Sequence, residues 1–179
     1  LLGANAGSSG TATVDGAGST WTVGSSLVVG NSGDGTLRIT NGAAVTGIFA
    51  DAVIGVNGSG TGSVTVDGPS SSLTMTGSNG LVVGSSGSGT LTVTNGGAVS
   101  TSAGIIGRFA GSTGTATVDG AGSIWDNTGT MDIGKSGTGA LTIKNGGLVA
   151  SIGAINIGTN AGSTGSVTVE GATSGLGRN

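Results

Sequence analysis

The sequence contains no cysteine, no histidine and no tyrosine, and only one proline among its 179 residues. Neither thiol nor imidazole is therefore present for nucleophilic catalysis or metal binding. The single proline excludes a proline-rich linker, and the 42 glycines lack the every-third-residue register of collagen. We expect neither a cofactor nor a bound metal.

Charged side chains are also scarce, with five basic and eight acidic residues and a net charge of −3. Nucleic acid is excluded as a partner because it requires a concentrated basic surface. No apolar run approaches the roughly 20 residues of a transmembrane helix, so we expect no membrane insertion by this segment. Disorder is disfavoured as well, since 35% of the residues are apolar and only 7% are charged.

The residues that are abundant form short β-branched bursts between Gly, Ser, Asn and Asp clusters, a pattern typical of strands and turns. Two motifs recur along the chain. The first ends in Asp-Gly or Glu-Gly and returns every 51 or 52 residues, at 11–16, 63–68, 115–120 and 166–171. The second ends in Asn-Gly and lies about halfway between copies of the first, at 36–42, 90–96 and 140–146.

The repeating unit is therefore about 25 to 27 residues long, and two kinds of unit alternate. Complete units span 11–35, 36–62, 63–89, 90–114, 115–139 and 140–165, and partial units span 1–10 and 166–179. We call the units beginning at 11, 63, 115 and 166 Asp-type coils, and those beginning at 36, 90 and 140 Asn-type coils. Three strand-like bursts per unit match one triangular coil, and stacked coils share a core that a single coil cannot bury. The sequence predicts one all-β segment over 1–179, a right-handed parallel β-helix or β-solenoid.

Alternation along each burst predicts which side chains face the core. The inward columns of the first strand are Ala12, Leu37, Val64, Leu91, Ala116, Leu141, Val167 and Val14, Ile39, Val66, Val93, Val118, Ile143, Val169. Those of the third strand are Leu27, Ala52, Leu81, Gly104, Met131, Ile155 and Val29, Ile54, Val83, Ile106, Ile133, Ile157, with Leu2 preceding. The second wall is expected to hold Trp21, Leu73, Val99 and Trp125.

The segment VDGAGSTW…LVVGNSGDGTLRITNGA, over 14–43, and its echo VDGAGSIW, over 118–125, resemble a known bacterial repeat. The repeat is shared by autotransporter passenger domains and PEP-CTERM-sorted proteins, and the resemblance covers nearly the whole chain. It implies a secreted β-helix on a Gram-negative cell surface, associated with the outer membrane, often in adhesion or biofilm contexts. We therefore expect an extracellular structural or adhesive stalk, with a surface glycan or a host matrix component as ligand.

The outward face of the first strand carries Thr-x-Thr pairs that form a regular hydroxyl ladder. Its members are Thr11, Thr13, Ser63, Thr65, Thr90, Thr92, Thr115, Thr117, Ser166 and Thr168, and Arg38 and Ala140 interrupt it. The ladder resembles the surface of β-solenoid ice-binding proteins, which makes ice binding an alternative function. The competing interpretation is that Thr simply suits the exposed face of a strand.

A second ladder lies at the corner that follows the first strand. It consists of Asp15, Asn41, Asp67, Asn95, Asp119, Asn145 and Glu170. We interpret it as turn chemistry, because calcium would need several oxygen ligands converging on one ion. The Asn-type coils have one extra residue here, at Thr40, Thr94 or Lys144, so we expect their Asn side chains to point inward.

Catalysis has few candidate residues. Asp126, Asp132 and Lys135 form a local charge cluster, which we expect to be solvated surface. A polysaccharide-active β-helix enzyme, the second alternative, needs a carboxylate-lined cleft built from long loops. Every turn here is short, so we do not expect an enzyme.

The middle of the third strand points outward and yet is apolar in successive coils. The residues are Leu1, Val28, Val53, Val82 and Ile105. A contiguous apolar stripe suggests a covered surface, so we expect lateral packing against a second copy or a neighbouring segment. The segment 1–10 aligns with 105–114, which places the start of the chain in the third strand of a coil. Two interpretations stay open, an excerpt from a longer repeat array and head-to-tail stacking of copies.

Overall fold

The computed structural model describes residues 1–78 and 80–177, and these residues form strands and no helix. Residues 178 and 179 of the last partial coil lie outside the described residues. In chain order the strands are β1 (Ser9–Asp15), β2 (Thr20–Thr22), β3 (Leu27–Val29), β4 (Asp34–Thr40), β5 (Ala44–Ile48), β6 (Ala52–Ile54), β7 (Thr61–Asp67), β8 (Ser72–Met75), β9 (Leu81–Val83), β10 (Ser88–Thr94), β11 (Ala98–Thr101), β12 (Gly104–Ile106), β13 (Thr113–Asp119), β14 (Ile124–Asn127), β15 (Met131–Ile133), β16 (Thr138–Lys144), β17 (Leu148–Ser151), β18 (Ile155–Ile157), β19 (Thr164–Glu170) and β20 (Gly175–Gly177).

Each strand pairs in parallel with the strands three places before and after it in the chain. The first sheet contains β1 and every third strand after it, up to β19. The second sheet runs from β2 to β20 and the third from β3 to β18 in the same way. Three parallel sheets that each receive one strand per coil define a β-solenoid of about six turns, with about 26 residues per coil. The predicted fold class is confirmed.

The core is a stack of side-chain columns inside the three sheets. The register joins Leu37 to Val64 and Ile39 to Val66, as the alternation predicts, and all four side chains are buried. The second wall contains the four predicted residues in register, and Val45, Val149 and Leu176 complete it. The sequence left these three out because the turn between the first and second strands differs in length between the two coil types, which obscures the alignment.

The first strand begins two residues earlier than the apolar bursts indicate, and its second residue is always glycine. This inward column consists of Gly10, Gly35, Gly62, Gly89, Gly114, Gly139 and Gly165. A Cβ atom on Gly62 would lie 2.2 Å from the carbonyl oxygen of Val29 and 2.6 Å from the amide nitrogen of Gly55. The corner between the third strand and the next coil is therefore too tight for any side chain, which explains why this glycine recurs in every coil.

A buried polar cluster lies at the end of the second strand, in the C-terminal half of the solenoid. Thr101, Asn127 and Ser151 stack in register in neighbouring coils, and all three are buried. The Asn127 Oδ1 accepts a hydrogen bond from Thr101 Oγ1 at 2.9 Å, and Trp125 Nε1 donates to the same hydroxyl at 3.1 Å. The Asn127 Nδ2 donates to the carbonyl oxygen of Gly129 at 2.7 Å. Side chains thus supply the hydrogen bonds that this sharp corner needs.

Candidate functional site

The outward face of the first sheet carries the hydroxyl ladder, and the structure widens it from two columns to three. The predicted residues are in register, with Thr90 between Ser63 and Thr115, and Thr92 between Thr65 and Thr117. The third column consists of Ser9, Asp34, Thr61, Ser88, Thr113, Thr138 and Thr164, all of them exposed. We call the three columns together the hydroxyl face.

Each column of the hydroxyl face has one interruption. These are Asp34 in the added column, Ala140 in the column that begins at Thr11 and Arg38 in the column that begins at Thr13. Neighbouring hydroxyl groups along the rod lie about 4.8 Å apart, the spacing of paired strands. The sequence signal that could have revealed the added column is the Ser-Gly, Asp-Gly or Thr-Gly dipeptide that precedes each motif.

The acid and amide ladder at the corner forms side-chain bonds between coils. The carboxylate Oδ1 of Asp15 accepts hydrogen bonds from Thr40 Oγ1 at 2.6 Å and from Asn41 Nδ2 at 2.7 Å, both in the following coil. The expectation that the Asn side chains point inward is wrong. Asn41 has a φ of 56°, and in this left-handed conformation its exposed amide reaches back to the carboxylate.

The same arrangement, which we call the acid clamp, recurs in every second coil. Asp67 Oδ1 accepts from Thr94 Oγ1 and from Asn95 Nδ2, each at 2.7 Å. In the third copy Asn145 Nδ2 donates to Asp119 Oδ1 at 2.7 Å, and the Nζ of Lys144 lies 3.5 Å from Asp119 Oδ2. The acid clamp always joins an Asp-type coil to the Asn-type coil that follows it.

Hydrogen bonding in the acid clamp favours the ionised carboxylate. The hydrogen bond from Thr40 and then that from Asn41 lower the pKa of Asp15 below its ordinary value of 3.8, and the smaller opposing effect of desolvation does not cancel them. Because the folded-state pKa is lowered, this stabilisation is present above the ordinary value and is lost as the pH falls through the lowered one.

The alternate interface, from an Asn-type coil to the next Asp-type coil, uses serine instead. The Ser71 hydroxyl donates to the carbonyl oxygen of Asp67 at 2.7 Å and accepts from the amide of Gly42 at 2.9 Å. Equivalent bonds are made by Ser123 and by Ser174. The two coil interfaces are therefore chemically different, which accounts for the 52-residue repeat.

The charge cluster predicted at Asp126, Asp132 and Lys135 does not assemble as one solvated group. Asp132 is buried on the third sheet, where it accepts a hydrogen bond from Asn156 Nδ2 at 2.7 Å and pairs with Lys135 at 3.2 Å. Asp126 lies on β14 of the second sheet. The expectation of solvated surface is wrong for Asp132, because its outward strand position is covered and its charge is balanced by its neighbours.

The apolar stripe on the third sheet is in register from Val28 to Ile105. Its residues are half-buried apart from Val82, which is 2% exposed, and Leu1 at the edge of the sheet, which is 66% exposed. Outside the stripe Phe49 is exposed in the turn before β6. The stripe is thus a strip of partly covered surface.

Other features of the described residues give no second site. An apolar recess of about 250 Å³ lies beside β20 and is lined by Leu148, Val149 and Leu176 among others. Residues 1–78 and 80–177 bring no three acidic side chains together as a metal site, and they contain no helix that could cross a membrane. No family model, curated protein or solved structure matches the chain.

Proposed function

We propose that this chain is a rod-forming segment of an extracellular bacterial surface protein, where it serves as a structural or adhesive stalk. The observation that carries the proposal is that polar side chains at the corner bond each coil to the next. Asp15, Asp67 and Asp119 direct their carboxylates at the following coil. These carboxylates reinforce the rod.

The geometry of the stack supports the same proposal. Seven strands in the first sheet, spaced about 4.8 Å apart, give a rod about 29 Å long. Backbone hydrogen bonds in parallel stacked strands run along the rod axis, so tension along the axis is shared by three sheets. Charge-assisted bonds of the acid clamp add to that resistance, since they are roughly twice as strong as neutral ones.

The stalk function predicts that the acid clamp bears load. Asp67→Ala combined with Asp119→Ala is expected to lower the force at which the chain unfolds when it is pulled from its two ends, because two of the coil interfaces lose their carboxylates. Optical tweezers with the chain held between DNA handles measure this force. The matched control is Asp34→Ala with Asp126→Ala, which removes two carboxylates that lie away from the corner. Equal forces for the two double variants would contradict the load-bearing role.

Ice binding is a second candidate, and the in-register hydroxyl face favours it. A flat array of hydroxyl and methyl groups can hold ordered water at regular spacing. The native chain is then expected to show thermal hysteresis, which Thr92→Lys with Thr117→Lys abolishes by raising long charged side chains from the centre of the face. Thr46→Lys with Thr74→Lys on the second sheet is the control that keeps the activity. Absence of hysteresis in the native chain would reject this candidate.

A further inference from the structure

We infer that the acid clamp is a pairing code that decides which coil can follow which: an Asp-type coil accepts an Asn-type coil on its C-terminal side and rejects another Asp-type coil. The Asn-type coil is recognised by two donors at its corner. They are a hydroxyl or ammonium group and, at the next residue, the side-chain amide of an asparagine in the left-handed conformation. The code applies equally to coils of one chain and to coils supplied by another copy.

The first support is the register of the corner. Asp67 stands opposite Thr40 in the coil before it and opposite Thr94 in the coil after it. Every carboxylate therefore has donors as neighbours, and successive carboxylates are two coils apart, about 9.6 Å. If two Asp-type coils stacked directly, their carboxylates would lie about 4.8 Å apart, with no donor between them, and would repel each other.

The second support is that the donors are specific to the Asn-type coil. Its Asn adopts a left-handed conformation at Asn41, Asn95 and Asn145, with φ of 56°, 53° and 53°. In the Asp-type coil the residue aligned with this Asn is a glycine, such as Gly68 after Asp67, which has no side chain to donate. The Asp-type coil thus cannot act as its own partner.

Two deletions test the code in opposite directions. Removing 36–62 takes out one coil and places Asp15 against Asp67, whereas removing 36–89 takes out two coils and places Asp15 against the intact donors Thr94 and Asn95. At pH 7 the longer product, lacking 36–62, is expected to melt at the lower temperature, by on the order of 5 °C. Near pH 2.5, below the ordinary aspartate pKa of 3.8, the longer product is expected to be the more stable.

Point variants of the full chain separate charge from packing. Thr94→Asp sets a third carboxylate between Asp67 and Asp119, while Thr92→Asp adds the same charge on the same strand between Thr65 and Thr117. The charged groups that face position 94 are those two aspartates, and Lys144 reaches Asp119 from its far side.

The Tm of the Thr94→Asp variant is expected to fall well below that of Thr92→Asp at pH 7, and the gap is expected to close near pH 2.5. Thermal unfolding followed by circular dichroism measures both values. A gap that is absent at pH 7, or that persists unchanged in acid, would overturn the pairing code, whether or not the deletion variants fold.

Discussion

Gly62→Ala is expected to destabilise the solenoid by about 3 kcal/mol or more, at or above the upper end for overpacked sites. The added methyl group would lie 2.2 Å from the Val29 carbonyl oxygen and 2.6 Å from the Gly55 amide nitrogen. Those two backbone atoms are joined by a 2.9 Å hydrogen bond of the coil ladder. The methyl group can be accommodated only if that bond breaks or the corner opens. Chemical denaturation of the variant and the native chain measures the loss.

Gly58→Ala is the matched control for this prediction. Gly58 lies four residues earlier in the chain, in an exposed turn, and a Cβ atom built on it meets no atom within 4 Å. We expect the free energy of unfolding of the Gly58→Ala variant to stay within about 0.5 kcal/mol of that of the native chain, as for other surface substitutions. Similar losses of stability for the two variants would mean that the recurrence of glycine at this inward position does not depend on the tight corner.

The glycine that recurs near the start of the first strand shows why the fold could be predicted from the sequence, whereas one column of the hydroxyl face could not. Periodic apolar bursts determine the strands and their inward faces, because only one register buries both Leu37 and Ile39, each in its own inward column. The start of the first strand carries no apolar signal, since its first two residues are polar and glycine. The added column of the hydroxyl face, from Ser9 to Thr164, was therefore missed.

The direction of the Asn side chains could not be predicted for a different physical reason. Aligning Asn41 with Asp15 leaves Thr40 as an extra residue, and alternation along the strand then favours an inward Asn side chain. The register instead places Thr40 opposite Asp15, so no residue is inserted, and Asn41 takes a left-handed conformation where the Asp-type coil has Gly16, at a position where asparagine is tolerated. The hydrogen bond to Asp15 then fixes the side chain outside the core. Alternation along one strand contains no information about a partner in the next coil.

The two coil interfaces give the rod a direction. In each pair the carboxylate comes from the N-terminal coil and the donors come from the C-terminal one, as between Asp67 and Asn95. The serine interface has the opposite polarity, since the Gly42 amide in the earlier coil donates to the Ser71 hydroxyl in the later one. A coil reversed along the axis would present neither set of partners, so the corner chemistry reinforces the parallel stacking that the backbone ladders impose.

Asn127→Ala is expected to lower the free energy of unfolding by about 3 kcal/mol, although no sequence motif includes this asparagine. Its side chain is fully buried, and its amide donates to the carbonyl oxygens of Gly129 and Thr130, at 2.7 and 3.1 Å. Alanine would leave buried polar groups without their partner, each costing about 1–3 kcal/mol. It would also leave Thr101 Oγ1 without its acceptor beside Trp125. Denaturant unfolding and hydrogen exchange of the amides in β14 and β17 measure the effect.

Asn160→Ala provides the comparison, because Asn160 is exposed and its amide makes one 2.8 Å bond to the Ser136 hydroxyl. Water can replace that bond, so we expect the free energy of unfolding to fall by less than about 0.5 kcal/mol. Equal losses for the two variants would show that the buried cluster is not what stabilises the corner. A large loss confined to Asn127→Ala, with exchange accelerated in β14 and β17 but not in β1 and β4, would show that the polar cluster holds the C-terminal coils together at this corner. In earlier coils the same column is occupied by Ile48 and Met75, which hold their coils together by apolar packing.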